Sequence, residues 1–166
     1  MSYDIRHADP GDAPDLVELA RAVGAEEEGW LITGGDWRGA GEERRYLRAI
    51  RRSSNAAVFV AETSEEIVGR LSIARDPHPA SRHVADLGVM VGRAHRRRGV
   101  GRALMLAGEE WARSNAISKL ELHVFPHNAP AFALYAKLGY QVEGLRRKQY
   151  RRAAGLVDAI LMAKEL

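Results

Sequence analysis

A run of arginine and glycine, Arg96-Arg97-Arg98-Gly99-Val100-Gly101-Arg102, follows the apolar stretch Leu87-Gly88-Val89-Met90-Val91 and opens a segment with helical spacing. Guanidinium groups can face an anion, and glycines let backbone amides approach it without an obstructing Cβ. The first turn of a helix adds unpaired N–H groups and the positive end of its dipole. Strand, basic glycine turn and helix, in that order, read as a seat for a polyphosphate. Further on, Asn128-Ala129-Pro130-Ala131 leads into Leu134-Tyr135 and Gly139-Tyr140, a capped helix carrying a phenol. Asp86, just upstream of the apolar stretch, supplies a carboxylate that can take a proton.

These groups need elements to hold them. Tyr3–Ala8 reads as a short strand, and Asp12 is placed to cap a helix whose Leu16, Leu19, Ala20 and Val23 keep helical spacing. Gly24 to Gly41 is a polar connection carrying Trp30 and Trp37, which serve either as anchors beneath the loop or as walls of a pocket. Glu42–Arg52 puts Tyr46, Leu47 and Ile50 on one helical face. The continuous apolar run Ala56–Ala61 suits a strand buried on both sides. Glu65-Glu66 turns it into Ile67–Arg75, an antiparallel hairpin that ends at Pro77 and Pro79. His83–Val91 is the next strand.

Gly99–Ser114 carries the stripe Val100, Leu104, Ala107 and Trp111. Leu120, Leu122 and Val124 alternate with Glu121 and His123, as in a strand. The helix from Asn128 stops at Gly139, and Tyr140–Leu145 and Leu156–Ala163 are the last strands. The order β-α-α-β-β-β-α-β-α-β-β describes an α/β (α+β) fold, a mixed sheet with helices packed on it.

Composition narrows the chemistry. The length of 166 residues suits a single domain, residues 1–166, and 46% apolar with 28% charged residues is ordinary for a globular chain. With no cysteine there is no disulfide, thiolate metal site or cysteinyl intermediate. The six histidines show no HExxH pairing, so no metal is expected. Neither a secretory signal nor a membrane span is visible, and the expected location is the cytoplasm, away from membranes. The net charge of +3 is unevenly spread, with basic clusters at 44–52, 96–102 and 146–152. A nucleic-acid patch would lie on an exposed face or tail, beside other basic or aromatic contacts. The run 96–98 is instead wedged between a core strand and an amphipathic helix, so no nucleic-acid partner is expected.

From Ala56 to the C-terminus the chain resembles the GNAT (Gcn5-related N-acetyltransferase) superfamily. Val89-x-Val91 with Arg96-x-x-Gly99-x-Gly101 carries the likeness, together with Asn128-Ala129-Pro130-Ala131-x-x-Leu134-Tyr135-x-x-x-Gly139-Tyr140. The run from Asn128 with Glu143-Gly144 and Asp158 looks like the branch that acetylates free amino acids and small amines. The resemblance implies a mostly antiparallel sheet of six to seven strands with a splayed fourth and fifth strand, and acetyl-CoA as co-substrate. It implies that backbone groups of Val89, Met90 and Val91 meet the thioester and pantetheine arm, with the Val89 N–H polarising the carbonyl. Residues Arg96, Arg97, Arg98, Gly99, Val100, Gly101 and Arg102 would hold the pyrophosphate. Asn128 is both helix cap and cofactor contact, Ala131 lies beside it, and Tyr135 is either the acid that protonates the departing thiolate or a core aromatic. Two copies can pair through the C-terminal strands.

With no cysteine, the simplest route is direct attack by an amine whose proton goes to Asp86, through water because Asp is short; His83 and Glu26–Glu28 are reserves. A small primary amine leads as acceptor. A peptide N-terminus, an aminoglycoside, and a module that senses CoA without turning it over stay open.

Overall fold

The computed structural model describes residues 2–34 and 37–166. Its strands are β1 (Asp4–His7), β2 (Ala56–Glu62), β3 (Ile67–Arg75), β4 (Val84–Val91), β5 (Lys119–Val124), β6 (Gln141–Arg152) and β7 (Gly155–Glu165). Helices α1 (Ala13–Gly24) and α2 (Ala40–Ile50) fall between β1 and β2, α3 (Val100–Ser114) joins β4 to β5, and α4 (Ala129–Lys137) joins β5 to β6. This is the order that periodicity predicts. The strands form one sheet, β1-β2-β3-β4-β5-β7-β6, in which only the β4–β5 contact is parallel.

Side chains on a strand alternate between faces, so each sheet face builds its own core. On one face, Val58, Val60, Ile67 and Met90 meet Leu16, Ala20 and Leu47 of α1 and α2. On the other, Leu71, Ile73, Leu87, Leu120, Leu122 and Met162 meet Val100, Leu104 and Met105 of α3 and Tyr135 of α4. Each fully buried aliphatic side chain contributes about 1.5–3 kcal/mol of burial. The helix α3 stripe is turned slightly from expectation: Met105, Gly108 and Ala112 are buried beside Val100 and Leu104, while Ala107 and Trp111 are only half-buried.

Two local readings are corrected. Asp12 does not cap α1. Asp9 instead caps the short 3-10 turn Pro10–Asp12 that leads into α1, taking the Gly11 N–H at 3.0 Å, while the Asp12 carboxylate accepts the Asp9 N–H and holds Arg6. The sixth strand does not stop at Leu145 but runs to Arg152. Arg146-Arg147-Lys148-Gln149 lacks apolar alternation because β6 is an edge strand, paired only with β7 and open on both faces.

Polar residues also enter the core. Glu43, on the same face of α2 as Tyr46, Leu47 and Ile50, is fully buried. It receives Arg70 of β3 at 3.0 Å and Arg38 at 2.9 Å, and the ring of Trp37 lies 5.0 Å from the Arg70 guanidinium. Trp37 is thus an anchor. Removing one partner of a buried ion pair strands the other charge, so Glu43→Ala is expected to cost about 3–5 kcal/mol of unfolding free energy, measured by urea denaturation.

Candidate active site

The strands that run parallel at the centre of the sheet stay together for only three residues. Val84, Ala85 and Asp86 face Lys119, Leu120 and Glu121, after which β5 continues its pairing with β7 alone while β4 stays on β3 up to Val91. The Gly92 N–H donates to the Val68 carbonyl at 2.8 Å, which fixes the alternation of the β3–β4 ladder. Even-numbered residues of β4 aim their backbone groups at β3, and odd-numbered ones aim theirs at β5. Past the parallel segment the amides of Val89 and Val91 therefore point into a gap. Met90 belongs to the other set: its backbone pairs with Arg70 and its side chain is buried under α1 and α2.

The turn after β4 closes one end of this gap. Arg97 (φ 63°) and Gly99 (φ 83°) both take left-handed conformations. The first helical bond of α3 runs from the Ala103 N–H to the Gly99 carbonyl at 3.0 Å. Among the described residues, the amides of Arg97 through Arg102 have no backbone acceptor, the expected state of a free helix N-terminus. The two glycines answer different needs. Gly99 has open space around it and is required by its positive φ. A Cβ at Gly101 would lie 3.2 Å from Leu134 Cδ2 of α4 and 3.8 Å from Val91 Cγ2, so this glycine lets the two helices meet over the strand end.

The arginines divide in the same way. Arg97, Arg98 and Arg102 are exposed, whereas Arg96 turns inward. Its Nε donates to the Val91 carbonyl at 3.0 Å, its two Nη atoms each donate to Glu26 at 2.8 Å, and the Trp30 ring lies 5.4 Å from its guanidinium. Val100 is buried beneath α3. On the far bank, the Asn128 side-chain oxygen accepts the Ala131 N–H at 3.2 Å, which uses that oxygen as a cap. Tyr135 is buried, its ring centroid 6.1 Å from that of Tyr140. Burial pushes its proton loss well above the usual phenol range, so it stays protonated at neutral pH.

The opposite sheet face carries a second polar group. Asp86 lies in register with Glu121 across the parallel pair. Solvent reaches Asp86, yet the surrounding protein strips part of the carboxylate's hydration and Glu121 adds its charge, pushing the carboxyl up to about 6. His123, on the same face of β5, accepts or donates at Nδ1 to the Tyr150 hydroxyl, 2.5 Å away. Burial first, then Arg146, pushes the imidazole down from its ordinary value.

The segment after α1 spans the gap: Glu26 and Glu28 pair with Arg96 and Arg93 on the β4 side. On the β5 side, His127 meets the Glu28 carbonyl at 2.9 Å and Arg152 donates to the Leu31 carbonyl at 2.5 Å. Glu26 and Glu28, named as reserve proton acceptors, are thus engaged in ion pairs. His83 lies at the end of β4 away from the gap, exposed, its carbonyl receiving the Ser118 and Lys119 amides.

The family model of the acetyltransferase (GNAT) family matches residues 21–140. The chain belongs to that family. It is 38% identical over 110 residues to the L-amino acid N-acetyltransferase AaaT of Escherichia coli, covering 64% of this chain and 66% of that relative. It is also 38% identical over 69 residues to the ribosomal protein bS18-alanine N-acetyltransferase of Escherichia coli, covering 42% of this chain and 47% of that relative. The chain thus spans between about half and two-thirds of these curated relatives. A GNAT-family acetyltransferase from Streptococcus pneumoniae superposes with a TM-score of 0.91 at 29% identity, over 99% of this chain and all (100%) of that one. Among the described residues of this GNAT chain, no helix is long and apolar enough to cross a membrane.

Sequence reasoning passed over Glu121, His123, Arg146, Tyr150 and Arg152. The first two were within reach, because alternation with Leu120, Leu122 and Val124 puts them on the face of Asp86 once β4 and β5 are paired. The others depend on the full length of β6.

Asp86 also makes a prediction about stability. Its carboxyl titrates near 3.8 when unfolded and near 6 when folded, so the unfolded chain releases the proton first as pH rises. Stability therefore falls between those two values and stays lower above them. Asp86→Asn is expected to raise the thermal midpoint at pH 8 and to lose that advantage at pH 4, measured by thermal unfolding at both.

Proposed function

We propose that this GNAT chain transfers the acetyl group of acetyl-CoA directly to a primary amine, and that the acceptor is a free amino acid or a similarly small amine. The observation that carries this reading is the juxtaposition at Gly101. There the strand end with its gap-facing amides, the open N-terminus of α3 and the phenol-bearing helix α4 come together. The likeness to a relative that acetylates L-amino acids supports the acceptor class, and the likeness to an acetyltransferase of a ribosomal protein supports a peptide N-terminus as the second reading. We assign the chain to the cytoplasm, the location expected of an enzyme that draws on a pool of acetyl-CoA.

Acetyl-CoA brings an acyl group already activated on a thiol leaving group. The amides of Arg97 to Arg102 offer an anion several N–H donors and a helix dipole, and the exposed Arg97, Arg98 and Arg102 add charge. The Val89 N–H is aimed to stabilise negative charge growing on a carbonyl oxygen, and the Val91 N–H to hold the adjoining pantetheine arm. Asn128 keeps its side-chain nitrogen for a polar contact while its oxygen caps α4.

A primary ammonium has no lone pair with which to attack. Asp86, largely ionised at pH 7 but far more basic than an ordinary aspartate, accepts that proton through water. Tyr135 retains its own proton at this pH and donates it to the departing sulfur. A thiol with a pKa of about 8.5 already leaves fairly well, so this donation adds a modest factor.

The test follows free thiol release from acetyl-CoA with amino acids, polyamines, aminoglycosides and peptides. Turnover is expected with small amines; silence across all of them, with acetyl-CoA bound, would leave a CoA sensor. The kcat/KM profile is expected to rise through pH 6, and Asp86→Asn to lower it by about 10²–10⁴-fold and erase that limb. Tyr135→Phe is expected to lower kcat about tenfold while acetyl-CoA binding, followed by calorimetry, stays within about twofold of wild type.

A further inference from the structure

One strained position outside the family motifs points at the same cleft. Between Arg146 and Tyr150 the β6–β7 ladder loses register, since Arg146 faces Ala159 but Tyr150 faces Val157. Four steps on one strand match two on the other, so two extra residues bulge from β6. Lys148 sits in the bulge at φ 50°, a left-handed conformation that costs a non-glycine residue energy, and the Asp158 carboxylate holds its N–H at 2.7 Å. Bulges of this kind re-aim the side chains that flank them.

The two flanking side chains meet the acceptor face. Tyr150 reaches His123 at 2.5 Å and stands edge-on to Phe125, with ring centroids 6.0 Å apart. Arg146 faces Ala159, two residues along β7 from Leu161, which is itself opposite His123. These odd-numbered β7 residues lie on the face shared by Glu121, His123 and Asp86. Arg146 is exposed and, among the described residues, has no carboxylate at ion-pairing distance. Neighbouring arginines are already engaged: Arg152 holds the Leu31 carbonyl, and Arg96 holds Glu26. The acceptor face therefore has a carboxylate end at Asp86 and Glu121, a polar middle at His123 and Tyr150, and an uncommitted guanidinium beyond them.

We propose that Arg146 recognises the carboxylate of the acceptor, so that the preferred substrate carries both an amine and a carboxylate on one small molecule, as an α-amino acid does. This rests on the acetyltransferase reading above and narrows it. The amine end lies toward Asp86 and Glu121, and the carboxylate end toward Arg146. A guanidinium suits this task because its planar donors match a carboxylate in pairs. The segment 25–34, tied to both banks of the gap, favours a small acceptor over a chain that must pass through.

The test compares an amino acid panel with the corresponding amino acid amides and with the amines that lack the carboxyl group. Wild type is expected to favour the amino acids. R146Q is expected to raise KM for them by about tenfold to hundredfold with kcat little changed, and to leave KM for the amides unaltered. R146K should restore part of the loss, and R147Q, altering an exposed neighbour, should behave as wild type. Equal use of amides and amino acids by wild type, or an unchanged KM in R146Q, overturns the assignment of Arg146 while leaving the acetyltransferase intact. Bound acetyl-CoA without turnover of any amine overturns both.

Discussion

Everything at the site depends on β5 leaving β4 after three paired residues. A sheet normally satisfies backbone groups on both edges of an internal strand, and a buried amide left without a partner costs about 1–3 kcal/mol. Here β4 keeps its full ladder on β3, so the strand is rigid, while the odd-numbered amides on its other edge are spared. Divergence is sustained from both sides. β7 claims the outer edge of β5 through to Val124, and α3 and α4 meet above the strand end, where Gly101 admits Leu134 to 3.2 Å of its would-be Cβ. The gap is thus a product of ordinary packing around it, and the donors inside it are preorganised because the ladder behind them cannot shift.

Arg96 shows that a charged motif can turn one of its members toward the protein. In a run of three arginines it is the one that binds protein: it takes the carbonyl of Val91, the carboxylate of Glu26 and the ring of Trp30. Those three contacts join the end of β4, the segment after α1 and the turn before α3. The exposed Arg97 and Arg98 then present charge from a turn whose shape Arg96 and the left-handed Gly99 hold. Trp30, undecided between anchor and wall from sequence, stands against this guanidinium.

What was legible in the sequence was local. Strand, turn and helix around Val89 to Ala103 follow from apolar runs, glycine placement and helical spacing within a few residues. The cap at Asn128 and the stop at Gly139 follow from side-chain chemistry at helix ends. The acceptor face was not local. Asp86 meets Glu121 only because β4 and β5 run parallel, and Tyr150 meets His123 only because β6 continues past Leu145 and bulges. An edge strand need not alternate, since neither of its faces is sealed, and so periodicity gives no sign of it. Glu43 and Arg70 escaped for a related reason: each sits on a face that reads as core, and only their contact makes that burial tolerable.

The two halves of the site are consequently built in different materials. On the proposed donor side the groups that face the gap are mostly backbone amides, held by a strand ladder and by the first turn of a helix. Most side-chain substitutions there leave the donors in place, and the exceptions are the residues that set the geometry, Gly99 and Gly101. On the proposed acceptor side the groups are side chains drawn from three strands: Asp86, Glu121, His123, Tyr150 and Arg146. A single substitution there changes charge or reach without disturbing the donor half, because β4 remains braced on β3. Under the proposed assignment, a thioester common to many reactions is served by a geometry that is hard to alter, and the choice of amine falls to residues that can vary one at a time.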